Sequence, residues 1–401
     1  MNYMTILVVA LGYFVDIFDL TLFNMVRITS LKTLGVPTEQ LVDKGILLLN
    51  SQMIGMLLGG ILWGILGDKK GRLQVLFGSI LLYSLANIGN AFVTSIPVYA
   101  ILRFISGVGL AGELGAGITL ISEILPKEKR GMGTALVASI GVLGASFGGI
   151  MVENFDWKTC YIVGGVLGLT LLFLRVKVCE SSLFAMAQTN HHIRFGDFKM
   201  LIQSKDRFLK FLKCILVGIP IWFVAGLIMA FSPELAKELH ITGEITAAKS
   251  IGITYLGLAF GDFASGALSQ VLKSRLKSMF IFQILLLISI IGLFTTSKGQ
   301  SPHYYYTFCF NIGLFAGFWA VFITIAAEQF GTNLRSTVAT TAPNFVRGAV
   351  IPMTLFFKFL KIHYSLVTSM SIIGSIVMFF AIWSTLKLEE TFHKDLNYFE
   401  I

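Results

Sequence analysis

The chain has 401 residues, of which 55% are hydrophobic and 13% charged, and its formal net charge is +9 at pH 7. Soluble globular domains carry roughly 25% charged residues, so this composition, with a mean hydropathy of +0.79, excludes a large water-soluble domain. The positive balance suggests a nucleic-acid partner only until the basic residues are placed along the chain.

Apolar runs recur from end to end, each near the roughly 20 residues a helix needs to cross a hydrocarbon core. They are continuous rather than alternating, which argues against a β-barrel, and helices are the remaining way to satisfy a backbone in lipid. In chain order, spans are expected near 4–27, 45–67, 73–93, 97–122, 132–153 and 158–176, then 209–232, 247–271, 278–297, 302–327, 335–360 and 364–386. The opening run MTILVVALGYFVDIFDLTLFNMV (4–26) is too long for a signal-peptide core and no basic segment precedes it, so it is expected to remain as the first span. Residues 1–176 and 209–401 form two sets of six spans, joined by a polar linker, 177–208. Cys160, Cys179, Cys214 and Cys309 are scattered without metal or disulfide spacing.

The basic residues cluster after even-numbered spans: Lys69, Lys70 and Arg72; Lys127, Lys129 and Arg130; Lys177, Arg194, Lys199, Lys205 and Arg207 in the linker; Lys273, Arg275 and Lys277. The positive-inside rule makes these loops, and both termini, cytoplasmic. The net charge therefore reads as a topology signal, and no nucleic-acid partner is expected. The halves echo each other. SEILPKEKRG (122–131) and AEQFGTNLRS (327–336) each place Glu and Arg seven residues apart, Glu123 with Arg130 and Glu328 with Arg335, just after spans 4 and 10. A duplicated six-span unit around a midplane site is a common transporter plan.

Between spans 2 and 3, residues 64–72 read GILGDKKGR. Gly71 permits a tight turn, and Asp68 can face the partial positive charge of a helix N-terminus. The stretch resembles the G-x-x-x-D-[RK]-x-G-R signature of the major facilitator superfamily. That resemblance implies a conformational latch in which Gly64, Asp68, Lys69, Gly71 and Arg72 meet the start of span 11 near Arg335, Ser336 and Thr337, with Glu123, Arg130, Glu328 and Arg335 in the same layer. The second-half counterpart GALSQVLKSR (266–275) has Gln270 where an acid would stand, so the latch is expected to be one-sided. RFISGVGLAGELGAGITLISEILPKEKRG (103–131) is similar to span 4 of metabolite:proton symporters. FVDIFDLTLF (14–23) resembles the acidic span 1 motif of that branch, with Asp16 for Glu and Phe18 for Tyr, and the paired-acid span 1 of aromatic-acid:proton symporters. The C-terminal ETFHKDLNYFE (390–400) is also similar to these branches. The resemblance implies an all-α integral membrane fold of twelve transmembrane helices in two pseudo-symmetric six-helix bundles. It implies proton-coupled symport of a small organic anion or related metabolite by alternating access, in a monomer in the bilayer of a bacterial inner membrane. No cofactor is implied; a proton gradient drives transport, with sodium left open. A proton-driven exporter and a facilitative sugar carrier are the alternatives within the class, and a non-transporting receptor or scaffold is the alternative outside it. An enzyme would need a nucleophile–base pair or metal cluster at one depth, and the sequence offers none.

Charges inside the spans carry the chemistry: Asp16, Asp19, Arg103, Glu113, Asp262 and Arg347. Unpaired and facing lipid they would cost roughly 15–20 kcal/mol together, more than a typical domain's stability, so they must pair or line a cavity. Along span 1, Asp16 and Asp19 lie roughly 18 and 22 Å from its start, and Arg103 lies roughly 9 Å into span 4 from the outer side, which places all three in one layer. Asp16 and Asp19, three residues apart, share a helix face. The expectation is that both acids form a titratable pair with Arg103, balanced between desolvation and the guanidinium. Glu113, roughly 24 Å along span 4, either passes the proton inward or packs against the motif loop. Arg347, roughly 18 Å into span 11, either holds a substrate carboxylate or pairs with Asp262 or backbone carbonyls, with Asn344 one turn earlier; Asn311, Trp222 and Trp319 are further substrate candidates.

Overall fold

Long apolar runs leave the backbone no partner but itself, and the chain is helical accordingly. The computed structural model describes residues 3–70, 72–113, 127–175 and 199–392, and side chains for all of these except 3–6, 67–70, 72–73, 127–135, 175, 199, 332–333 and 336; no strand occurs among the described residues. Nine described helices are long and apolar enough to cross a membrane. Arg72–Asn90, Ile96–Leu110 and the consecutive pair Thr332–Gly348 and Val350–Leu360 bring the passes to twelve. The other passes are Tyr3–Thr33, Leu41–Lys70, Lys127–Asn154, Trp157–Arg175, Lys205–Phe223 with a π-helical turn Val224–Met229, Ala247–Val271, Arg275–Thr296, Pro302–Ala316 with Trp319–Glu328, and Leu366–Lys387. Span 1 runs on to Thr33, past its expected end, and span 7 begins early, at Lys205. Hydropathy marks the hydrocarbon layer, whereas hydrogen bonding continues until a cap or a turn stops it.

Several starts are capped in the expected chemistry, with the side chains of Thr246, Ser274, Ser301 and Ser365 accepting from the N–H three residues on. Asp156 does the same before span 6, where hydrogen bonds from the Thr159 hydroxyl and N–H hold its carboxyl below the usual range. Three passes are interrupted. Span 7 contains Pro220, which cannot donate its N–H, and runs on into the π-helical turn. Span 10 breaks at Gly317 and Phe318, and span 11 at Ala349. Such breaks free backbone groups and re-aim side chains, which lipid tolerates only where protein surrounds them.

Within each half the closest crossings use glycine in matching places. A Cβ at Gly55 or Gly107 would overlap the Phe104 and Gln52 carbonyls where spans 2 and 4 cross; Gly257 and Gly313 stand equally close to the Phe310 and Thr254 carbonyls where spans 8 and 10 cross. The halves meet along two seams, span 2 against span 11 and span 5 against span 8. The tail after span 12 folds back over the end that carries the basic loops. Glu390 accepts from the Ser274 hydroxyl and from the N–H groups of Arg275 and Leu276 at the start of span 9.

Candidate functional site

Asp16, Asp19, Arg103 and Arg347 are fully buried at 0% exposure. Asp16 Oδ2 lies 4.0 Å from Arg347 Nη2, an ion pair that crosses between the halves. The Arg347 guanidinium lies over two indoles, 5.7 Å from the Trp222 ring and 5.8 Å from the Trp319 ring. Its Nη1 donates to Asn344 Oδ1 at 3.3 Å, and Asn344 Nδ2 donates to the carbonyls of Ala111 (3.0 Å) and Thr340 (2.9 Å). The amide is thereby oriented with its oxygen toward the arginine. Helix irregularities place all of these groups: Trp222 follows Pro220, Trp319 opens the second segment of span 10, and Arg347 precedes the break in span 11.

Arg103 donates to Gln52 Oε1 of span 2, and its guanidinium stands over the rings of Phe23 (5.1 Å) and Tyr161 (5.9 Å). Asp19 faces Arg103, Asp16 and Asn87 electrostatically, without a close hydrogen bond to either of its oxygens. Gly164 of span 6 presses on Asp19 Oδ1, where a Cβ would not fit. The two acids stay electrostatically coupled on one helix face while reaching different neighbours, Asp16 an arginine of span 11 and Asp19 the interior of the first bundle. Asp262 does not pair with Arg347. Its Oδ1 accepts from Ala320 N–H at 3.1 Å, capping the half-helix opened by the break in span 10. Tyr13 and Tyr255 complete the surroundings of Arg347. Glu113 is buried at 1% exposure at the last described turn of span 4. Asn311 is half-buried and has no hydrogen bond or ion pair among the described residues.

Sequence reasoning missed a second inter-half contact, at the end opposite the basic loops. Arg27 Nη2 donates to both carboxylate oxygens of Glu234 (2.6 and 2.8 Å) and to the Ala230 carbonyl (3.2 Å), and the guanidinium covers the Phe231 ring at 4.6 Å. Asp43 and Lys358 pair at 3.2 Å at the same end, and below them Thr354 donates to Asn50 Oδ1 at 2.8 Å. Arg27 stands at the predicted end of span 1 and reads as a boundary residue. Only the overrun of that helix to Thr33 reveals it as buried.

At the basic end, Gly64 of span 2 faces span 11, where a Cβ on it would come into ordinary contact with the Thr341 and Thr340 methyls. Gly71, Glu123 and the side chains of Asp68, Lys69, Arg72 and Arg130 lie outside the described residues. Glu328 takes Arg275 as its partner, at 2.7 Å from Nε and 2.8 Å from Nη2, with Arg335 in electrostatic reach, and Glu390 caps the start of span 9 within the same half.

The model of the Major Facilitator Superfamily matches residues 9–353. A probable 4-methylmuconolactone transporter of Cupriavidus pinatubonensis is 24% identical over 393 residues, covering 95% of this chain and 89% of the relative. A 3-(3-hydroxy-phenyl)propionate transporter of Escherichia coli is 27% identical over 305 residues, covering 73% and 68%. Among solved structures, the partially occluded inward-open xylose transporter XylE of E. coli superposes with a TM-score of 0.75 at 17% identity, covering 98% of this chain and 99% of that one. Twelve passes in two bundles, a buried charge cluster at their seam and a family match over most of its length make this chain a membrane transporter of the major facilitator superfamily.

Proposed function

We propose that the protein is a proton-coupled symporter of a small aromatic or cyclic monocarboxylate, working by alternating access in a bacterial inner membrane with both termini cytoplasmic. The observation that carries this reading is Arg347, buried at the seam, 4.0 Å from Asp16 and lying over two indoles. A guanidinium recognises a carboxylate as a planar fork, and neighbouring indoles offer flat apolar faces to a ring. Relatives named for 3-(3-hydroxy-phenyl)propionate, 4-hydroxybenzoate, benzoate and niacin support the same substrate class.

Coupling follows from charge balance. At the centre Arg103 and Arg347 face Asp16 and Asp19, so the cluster is neutral. A substrate carboxylate arriving at Arg347 displaces Asp16 and adds one negative charge in a medium where unpaired charge is costly. The Asp16–Asp19 pair, two like charges on one helix face, then binds one proton shared as a unit. Substrate and proton each favour the other's binding, which is the linkage a symporter needs. Arg103, always charged, keeps Asp19 competent to release the proton. A sugar carrier would have no use for a deep arginine lying over indoles, and an exporter or receptor would not need the substrate to displace an internal acid.

In proteoliposomes, Asp19→Asn removes one acid, so substrate binding no longer calls for a proton. The variant is expected to lose uptake driven by a pH gradient while keeping counterflow exchange of the substrate. Normal pH-driven uptake in this variant would end the proposal.

A further inference from the structure

We propose that the interior of the first bundle contains a proton path from the outer face to Asp19, built on Tyr99 and Tyr161, separate from the route the substrate takes between the halves. This rests on the proton-coupled reading above.

The two tyrosines lie one turn inside the outer ends of spans 4 and 6, and both are fully buried at 0% exposure. Their hydroxyls are 2.7 Å apart, with either able to donate, and the Tyr99 hydroxyl also reaches Ser30 Oγ of span 1 at 3.4 Å. Ser30 is buried one turn below the exposed Thr33, whose hydroxyl accepts from Trp157 Nε1 at 3.3 Å. Inward, the Tyr161 ring lies under the Arg103 guanidinium, and Asp19 is in electrostatic reach. Span 3 adds a parallel line. Ser84, Asn87 and Asn90 are buried on one face, and among the described residues the hydroxyl of Ser84 and both amide ends of Asn87 and Asn90 meet no close hydrogen-bond partner. Asn87 stands beside Asp19, and Asn90 ends the helix at the outer side.

Buried polar groups in such numbers are satisfied by ordered water, and a hydroxyl pair that can donate either way is suited to passing a proton. A proton arriving at Ser30 is taken up by one oxygen as that oxygen gives its own to the next. Each O–H bond formed is matched by one broken, and the chain ends with a new O–H on the Asp19 carboxyl. Water held by Asn87 closes the last gap. The path lies inside the first bundle and not between the halves, so it stays connected while Arg27 and Glu234 shut the substrate route.

The double variant Tyr99→Phe/Tyr161→Phe removes both hydroxyls and keeps both rings, including the one under Arg103. In proteoliposomes with an internal pH indicator, substrate-driven proton influx is expected to fall at least about tenfold, while counterflow exchange stays within about twofold of wild type. Proton influx at the wild-type rate would overturn the path, and so would a proportional loss of counterflow, which would mark the tyrosines as structural. Asp19→Asn run alongside separates the two proposals. If it loses pH-driven uptake while the tyrosine variant is normal, only the path fails; if it is normal, the coupling reading fails first.

Discussion

Arg347 gathers most of the site's chemistry in one side chain. Its charge is met by Asp16 at 4.0 Å, longer than a tight charge-assisted bond of roughly 2.7–2.9 Å, and it lies over the rings of Trp222 and Trp319. In the proposed mechanism this looseness leaves Arg347 room for a substrate carboxylate. Arg347→Gln should weaken binding of benzoate-class ligands by roughly 10- to 100-fold, the worth of about 1.5–3 kcal/mol for a hydrogen bond to a charged group. Arg347→Lys should recover only part of it, because an ammonium neither forks nor stacks. Thermal stabilisation of the purified protein by benzoate, 3-phenylpropionate and nicotinate, compared with glycine betaine and xylose, measures both effects; unchanged stabilisation by the carboxylates in Arg347→Gln would remove the arginine from the substrate site. The importance of these residues was legible in the sequence, since a charge deep in an apolar run must be paired. Which acid meets which arginine was not. Depth along a helix is readable from residue count, but Asp16 and Asp19 differ in azimuth, and only packing decides which neighbour each one faces.

The breaks in spans 7, 10 and 11 put the site's side chains where they are, and of these only Pro220 announces itself. Gly317 reads as one more small packing residue, and nothing in Ala349 signals an end. The span count was legible because hydropathy is a sum over some 20 residues; the breaks turn on single backbone groups. The cap by Glu390 is a further element the sequence concealed, because the two backbone donors it meets at the start of span 9 lie more than a hundred residues away. Desolvation works against its charge, but hydrogen bonds from the Ser274 hydroxyl and the N–H groups of Arg275, Phe392 and Leu276 outweigh it and hold the carboxyl below the usual range. A carboxyl lowered on folding stabilises the fold fully above the ordinary glutamate value of roughly 4.3, and that contribution fades as pH falls through its lower folded value. Glu390→Ala should therefore cost on the order of 1 kcal/mol at pH 7, a fall of about 1–2 °C in melting temperature, with the difference from wild type vanishing in strong acid. A difference that grows as pH drops below 4 would contradict the sign.

For the whole molecule, the contacts that join the halves are the ones that must break for transport. At the end opposite the basic loops, the outer end in the proposed orientation, these are the Arg27–Glu234 pair, bonded through both carboxylate oxygens, and the more exposed Asp43–Lys358 pair. Glu234→Gln leaves Arg27 buried without a counter-charge, a loss of up to about 3 kcal/mol that falls on the outward-closed state. The population should shift toward the outward-open state by up to about 100-fold. Spin labels at the exposed Thr38 and Ile362, on opposite halves at this end, should report longer distances in the variant; an unchanged distribution would mean that the pair does not gate. The paired Glu and Arg motifs of the two halves suggest a duplicated unit in the sequence. The Arg27–Glu234 contact has no such echo, and Arg27 stands at the expected end of a helix.

The central claim is that a substrate carboxylate replaces Asp16 at Arg347 and thereby brings one proton with it. Simultaneous measurement of labelled benzoate-class substrate and internal acidification in proteoliposomes tests this most directly. One proton per carboxylate is expected, at a rate unaffected by a potassium diffusion potential, because a monoanion and a proton cross as a neutral pair. Substrate uptake without acidification, or uptake driven by the potential alone, would contradict the account.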